Sequence, residues 1–90
     1  MNMMYRMHSD RFNRPIVVKR HAAQRMAETS IDEPLLLQVI ESGMVRYSDE
    51  KRLWIWLDVP DRNDNLLCAA LVLDDALIVK TVMHRWELMP

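Results

Sequence analysis

Residues Arg52, Leu53, Trp54, Ile55, Trp56, Leu57, Asp58 and Val59 alternate without a break. In an extended chain, successive side chains point to opposite faces. Leu53, Ile55, Leu57 and Val59 therefore form one aliphatic side, and Arg52, Trp54, Trp56 and Asp58 form the other. The aliphatic side is expected to face the core. The second side carries two large amphipathic rings, and two readings of it stay open: a half-exposed surface for a partner protein or stacked bases, or a layer covered by the N-terminal arm.

Working outward, three more runs read as strands, Met44 to Ser48, Leu66 to Asp74 and Ala76 to His84. Residues 49–51, 60–65 and 74–75 separate the four runs and have the composition of hairpin turns. Upstream, Asp32 is suited to cap a helix and Pro34 falls in its first turn. Leu36, Val39 and Ile40 would be its buried stripe, assisted by Leu35 or Leu37, and Gly43 a left-handed stop. A shorter helix is expected over His21 to Thr29, with Ala22, Ala23, Met26 and Ala27 on its apolar side. Ile16 to Lys19, after Pro15, suits a first strand. The expected fold class is α+β, with a short N-terminal strand and two helices packed on a four-stranded antiparallel meander. Residues 1–14 read as a loose arm and 15–90 as one domain.

The chain has 90 residues, half of them apolar and 28% charged, the balance of a soluble single domain. No uncharged apolar run approaches bilayer length, so no membrane association is expected. The first fifteen residues hold three arginines and no apolar segment of the kind a secretory signal needs, and a cytoplasmic location is expected. Cys68 is the single cysteine, which excludes an internal disulfide and a zinc finger. The net charge of −1 hides an asymmetry: residues 1–30 carry six basic against two acidic side chains, and residues 31–64 carry eight acidic against four basic. A basic N-terminal third suits a phosphate backbone or an acidic partner.

His21 and Arg25 stand one helical turn apart, so both side chains leave the first helix in the same direction. The helix dipole disfavours imidazolium in the first turn, and a neutral imidazole there is suited to accepting a proton. A guanidinium beside it suits a phosphate or other oxyanion. The structural reading of the same pair is that His21 caps the helix or bonds a strand carbonyl while Arg25 pairs with an acid such as Asp49, Glu50 or Asp58. Thr81 and His84, near Lys80 and Arg85 at the end of the last strand, form a second cluster able to hold phosphate. Strict alternation sends Thr81 and His84 to opposite faces. Residues 61–65 open like a calcium loop, but Leu66 and Val72 stand where the glycine and the bidentate glutamate belong, so no metal or cofactor is expected.

The order of Lys19, Arg20, His21, Arg25 and Met26, then Ile31, Asp32 and a Leu-rich helix to Gly43, then Tyr47, the strand Leu53 to Leu57 and a closing Val79, Lys80, Thr81 and Val82 resembles the bacterial family called domain of unknown function 4258. The resemblance covers about residues 16 to 85. That family is similar in architecture to the barnase, EndoU, colicin and RelE superfamily of ribonuclease toxins. The resemblance implies a metal-independent endoribonuclease toxin held in check by a cognate antitoxin protein. It implies a catalytic set of His21, Arg25, Thr81 and His84. His21 would act as general base or acid on the ribose 2′-hydroxyl and Arg25 would stabilise the scissile phosphate. RNA would be held by Lys19, Arg20, Lys80, Trp54 and Trp56. The alternative function is a noncatalytic protein-interaction module using the tryptophan face, and a third reading is a homodimer joined through an edge strand.

Overall fold

The structure, a computed structural model, describes residues 7–59 and 66–84, with the side chains of Leu66 and His84 outside the description. Strands β1 (Met7–Ser9) and β2 (Arg14–Val18) precede helices α1 (Arg20–Glu28) and α2 (Glu33–Ser42). Strands β3 (Met44–Tyr47), β4 (Arg52–Asp58), β5 (Leu66–Leu73) and β6 (Leu77–His84) follow. The fold is α+β, and the sheet is six-stranded and mixed, in the order β1-β2-β6-β5-β4-β3.

This corrects the expectation of a separate first strand beside a four-stranded antiparallel meander. Strands β3 to β6 do pair antiparallel in sequence. However, β2 joins the same sheet parallel to β6, with Ile16 opposite Leu77 and Val18 opposite Val79. The physical reason is burial: Ile16, Leu77 and Val79 are all fully buried in one apolar row that neither strand could cover alone.

The arm expected over residues 1–14 is also corrected from Met7 onward. Its strand β1 forms a hairpin with β2, and the turn is tied to α2. The Glu41 carboxylate accepts from Ser9 Oγ at 2.6 Å, from the Asp10 amide at 2.8 Å and from the Arg11 amide at 3.1 Å. The Arg11 guanidinium donates to the carbonyls of Ile40 and Gly43, where the unsatisfied acceptors at the end of α2 attract a cation.

Helix α2 begins as its composition dictates, with Asp32 Oδ1 accepting from the Leu35 amide at 3.0 Å and Pro34 in the first turn. Its stripe of Leu36, Val39 and Ile40 is buried against β4 and β5. Helix α1 packs on β6 and buries Ala22 and Met26, while Ala23 and Ala27 are exposed. It ends with Ser30 in the left-handed region at φ 58° and the Ile31 amide bonded back to the Met26 carbonyl, which seats Ile31 in the core.

Gly43 departs from its expected role. Its φ of −75° is ordinary extended backbone rather than a left-handed stop. Glycine is needed because a Cβ there would come within 2.6 Å of the carbonyl oxygens of Trp56 and Val39.

Candidate functional site on the sheet

The register sorts the sheet into two faces. Leu53, Ile55, Leu67, Ala69, Leu71, Leu77, Val79 and Val82 are buried beneath the helices. The other face carries Trp54 and Trp56 on β4, Cys68, Ala70 and Val72 on β5, and Ile78, Thr81 and Met83 on β6, nearly all of them half-buried. The aliphatic side of β4 thus meets the core as expected, and the tryptophan side is the face opposite the helices. Strand β1 lies at the far edge of the sheet from β4, so residues 7–14 do not cover the tryptophans.

One row of cross-strand partners crosses this face: Arg46, Trp54, Ala70 and Thr81, on β3, β4, β5 and β6 in turn. Ala70 leaves a low point between the indole and the hydroxyl. Met44, Trp56, Cys68 and Met83 form the next row. Alternation on β6 is broken by a β-bulge: Ala70 faces Thr81 while Leu71 faces Val79, so Lys80 is an extra residue. Val79 and Val82 both face the helices, and the two residues between them lie on the opposite side. Lys80 and Thr81 are thereby brought to the tryptophan face together.

Two hollows border this face at the β3–β4 turn. One, of about 260 Å³, is lined by Arg46, Tyr47, Ser48 and Trp54. The other, of about 550 Å³, is lined by Asp49, Glu50, Lys51, Arg52, Val72 and Lys80. Asp49 is committed to the turn, because its carboxylate accepts from the Lys51 and Arg52 amides and lies 3.4 Å from the Arg52 guanidinium. The backbone donors from Arg52 and Lys51 hold its carboxyl below its ordinary value of 3.8. Among the described residues, no acid pairs with Arg46 or Lys80.

The residues expected to be catalytic separate into two groups. His21 is exposed in the first turn of α1, makes no hydrogen bond to another described residue, and does not cap its helix; Lys19 is the cap, without a side-chain bond. Lys19 and Arg20 are exposed beside it. Arg25 is half-exposed, and its guanidinium lies 3.5 Å from Glu28 rather than against Asp49, Glu50 or Asp58. Helix α1 packs on the helix-covered side of β6, whereas Thr81 faces the other side. The sheet therefore stands between the His21–Arg25 pair and Thr81, and the pair lines neither hollow. The backbone of His84 ends β6 on the parity of Val82, and its side chain lies outside the described residues.

Four of the sequence-derived residues do come together: Lys80, Thr81, Trp54 and Trp56. Arg52 joins them where the alternation of β4 puts it, and Arg46 joins without having been singled out, since its place in the row depends on the β3–β4 register, which no local pattern reveals. The calcium-loop reading of 61–65 falls outside the described residues. Among those described, no group of three ligating side chains stands close enough to hold a metal, and no helix is long and apolar enough to cross a membrane. Cys68 is buried on the tryptophan side, and burial pushes its thiol up to about 12, far from a nucleophilic thiolate. No protein-family model, curated protein or solved structure matches this chain.

Proposed function

We propose that this protein binds single-stranded RNA on the sheet face opposite its helices. The observation that carries the reading is the row Arg46, Trp54, Ala70 and Thr81, flanked by Trp56, Arg52 and Lys80. Aromatic rings on a sheet accept unstacked bases face to face, cations beside them track the backbone, and a hydroxyl adds a hydrogen bond to sugar or phosphate. The test is fluorescence anisotropy of a labelled oligouridine with the wild-type chain, Trp54→Ala and Trp56→Ala. Each truncation should weaken binding by roughly 5- to 160-fold, since a base stacked on an aromatic side chain contributes about 1–3 kcal/mol. Unchanged affinity in both variants would contradict the reading.

A second reading keeps the toxin-like endoribonuclease countered by an antitoxin protein, and one observation favours it. His21 is exposed at a helix start that has no side-chain cap and no acid in its first turn, with Lys19 and Arg20 alongside. That setting suits a phosphate beside the imidazole. Incubation of RNA with EDTA, the wild type and His21→Ala separates the two: cleavage lost in His21→Ala supports this second reading, and binding without cleavage in both leaves the first alone.

A further inference from the structure

We infer that the bulge in β6 builds a phosphate-binding site, with Lys80 as its principal cation and Arg52 and Lys51 closing it over Val72. The inference deepens the RNA reading by naming what the sheet face grips besides bases, and it is testable without RNA.

The bulge is the first argument. Without the extra residue, Lys80 would lie on the tryptophan side but Thr81 would turn towards the helices and Val82 out of the core. The insertion keeps Val82 buried while setting Lys80 and Thr81 in succession on the tryptophan face. Lys80 lines the larger hollow together with Arg52 and Val72, the cross-strand pair that ends the face at the β3–β4 turn.

Charge is the second argument. The hollow is lined by three cations and two acids. Asp49 is taken up by its own turn, and Lys51 reaches Asp74 only at 3.8 Å between exposed groups, a contact that solvent screens. The backbone before the bulge is held by β2 and its continuation: the Lys19 amide donates to the Val79 carbonyl at 3.1 Å, just past the parallel pairing of Val18 with Val79. No acid pairs with Lys80 among the described residues. Lys51, Arg52 and Lys80 around one hollow repel one another, and an anion between them reverses the sign. Two groups oppose an anion here: Asp49, 3.4 Å from the Arg52 guanidinium, and Glu50, which lines the hollow and pairs with no described cation.

The ligand is a phosphate group, supplied either by an RNA backbone or by a small phosphorylated compound, and two arms distinguish these sources. In the first, inorganic phosphate is titrated into labelled protein and the amide resonances of Lys80, Thr81 and Arg52 are followed. They should shift saturably in the wild type, lose the shift in Lys80→Gln and saturate at lower phosphate in Glu50→Gln. In the second, the salt dependence of oligouridine binding is compared between the wild type and Lys80→Gln. The log–log slope should fall by about 0.7, the loss of one phosphate contact on a single strand. Phosphate shifts in a chain that binds no oligouridine would keep the site, assign it to a small compound and remove the RNA reading. Oligouridine binding with an unaltered slope in Lys80→Gln, together with no phosphate-induced shift at these three amides, would overturn the inference. Lys80 and Glu50 are both exposed, so neither substitution threatens the fold.

Discussion

Trp54 and Thr81 stand in one cross-strand row on the face of the sheet turned away from the helices, with only the methyl group of Ala70 between them. The relationship follows from two sequence features far apart in the chain. The strict alternation of β4 puts Trp54 opposite Leu53 and Ile55. The bulge at Lys80 puts Thr81 on the same side as Trp54 while Val79 and Val82 remain in the core.

One carboxylate, that of Glu41, gathers three donors of the N-terminal hairpin. Glu41→Ala would leave the buried Ser9 hydroxyl without its acceptor and free the Asp10 and Arg11 amides. The expected loss is about 1–3 kcal/mol, the cost of an unsatisfied buried polar group, measured as a lower urea midpoint. Amide exchange should accelerate at β1 and β2 before it does at β4 and β5.

Gly43→Ala should destabilise through contact rather than through backbone conformation. The added methyl meets two carbonyl oxygens at 2.6 Å and Ile55 Cγ2 at 2.7 Å, and strained packing of this kind costs about 1–3 kcal/mol. Thermal unfolding of the variant checks it. An unaltered midpoint would mean that the end of α2 and the start of β3 do not approach β4 this closely.

Cys68 makes alkaline stability diagnostic. Its thiol, pushed up to about 12 by burial, stays protonated in the folded chain after the unfolded chain has begun to ionise near the ordinary value of 9.0. The folded state then binds more protons than the unfolded one, so stability declines as pH rises from about 9 towards 12 and is unaffected below that window. Denaturation midpoints from pH 7 to 11 should fall less steeply in Cys68→Ala than in the wild type. Thiol reagents should leave the native wild type unmodified at pH 7.

How much of this was legible in the sequence depends on the range of the interactions. The Asp32 cap, the Leu36, Val39 and Ile40 stripe, and the two-sidedness of Arg52 to Asp58 are local, and pattern alone supplies them. The parallel pairing of Ile16 with Leu77 is not local, and the short run Ile16 to Lys19 contains nothing that selects β6 as its neighbour. The loose reading of residues 7–14 missed Ser9 and Arg11 for the same reason, because their partners lie on α2. A signal for the bulge was present in the apolar interval of three from Val79 to Val82, which regular alternation misreads. His21 and Arg25 were rightly placed on one helix, but spacing within a helix says nothing about which sheet face lies opposite.

The most direct measurement is an amide chemical-shift map recorded as oligouridine is added to the labelled chain. The account predicts that the largest shifts fall on Arg46, Trp54, Ala70, Lys80 and Thr81, with α1 little affected. Shifts confined to Lys19, Arg20, His21 and Arg25, with the sheet row unmoved, would contradict it and return the function to the opening helix.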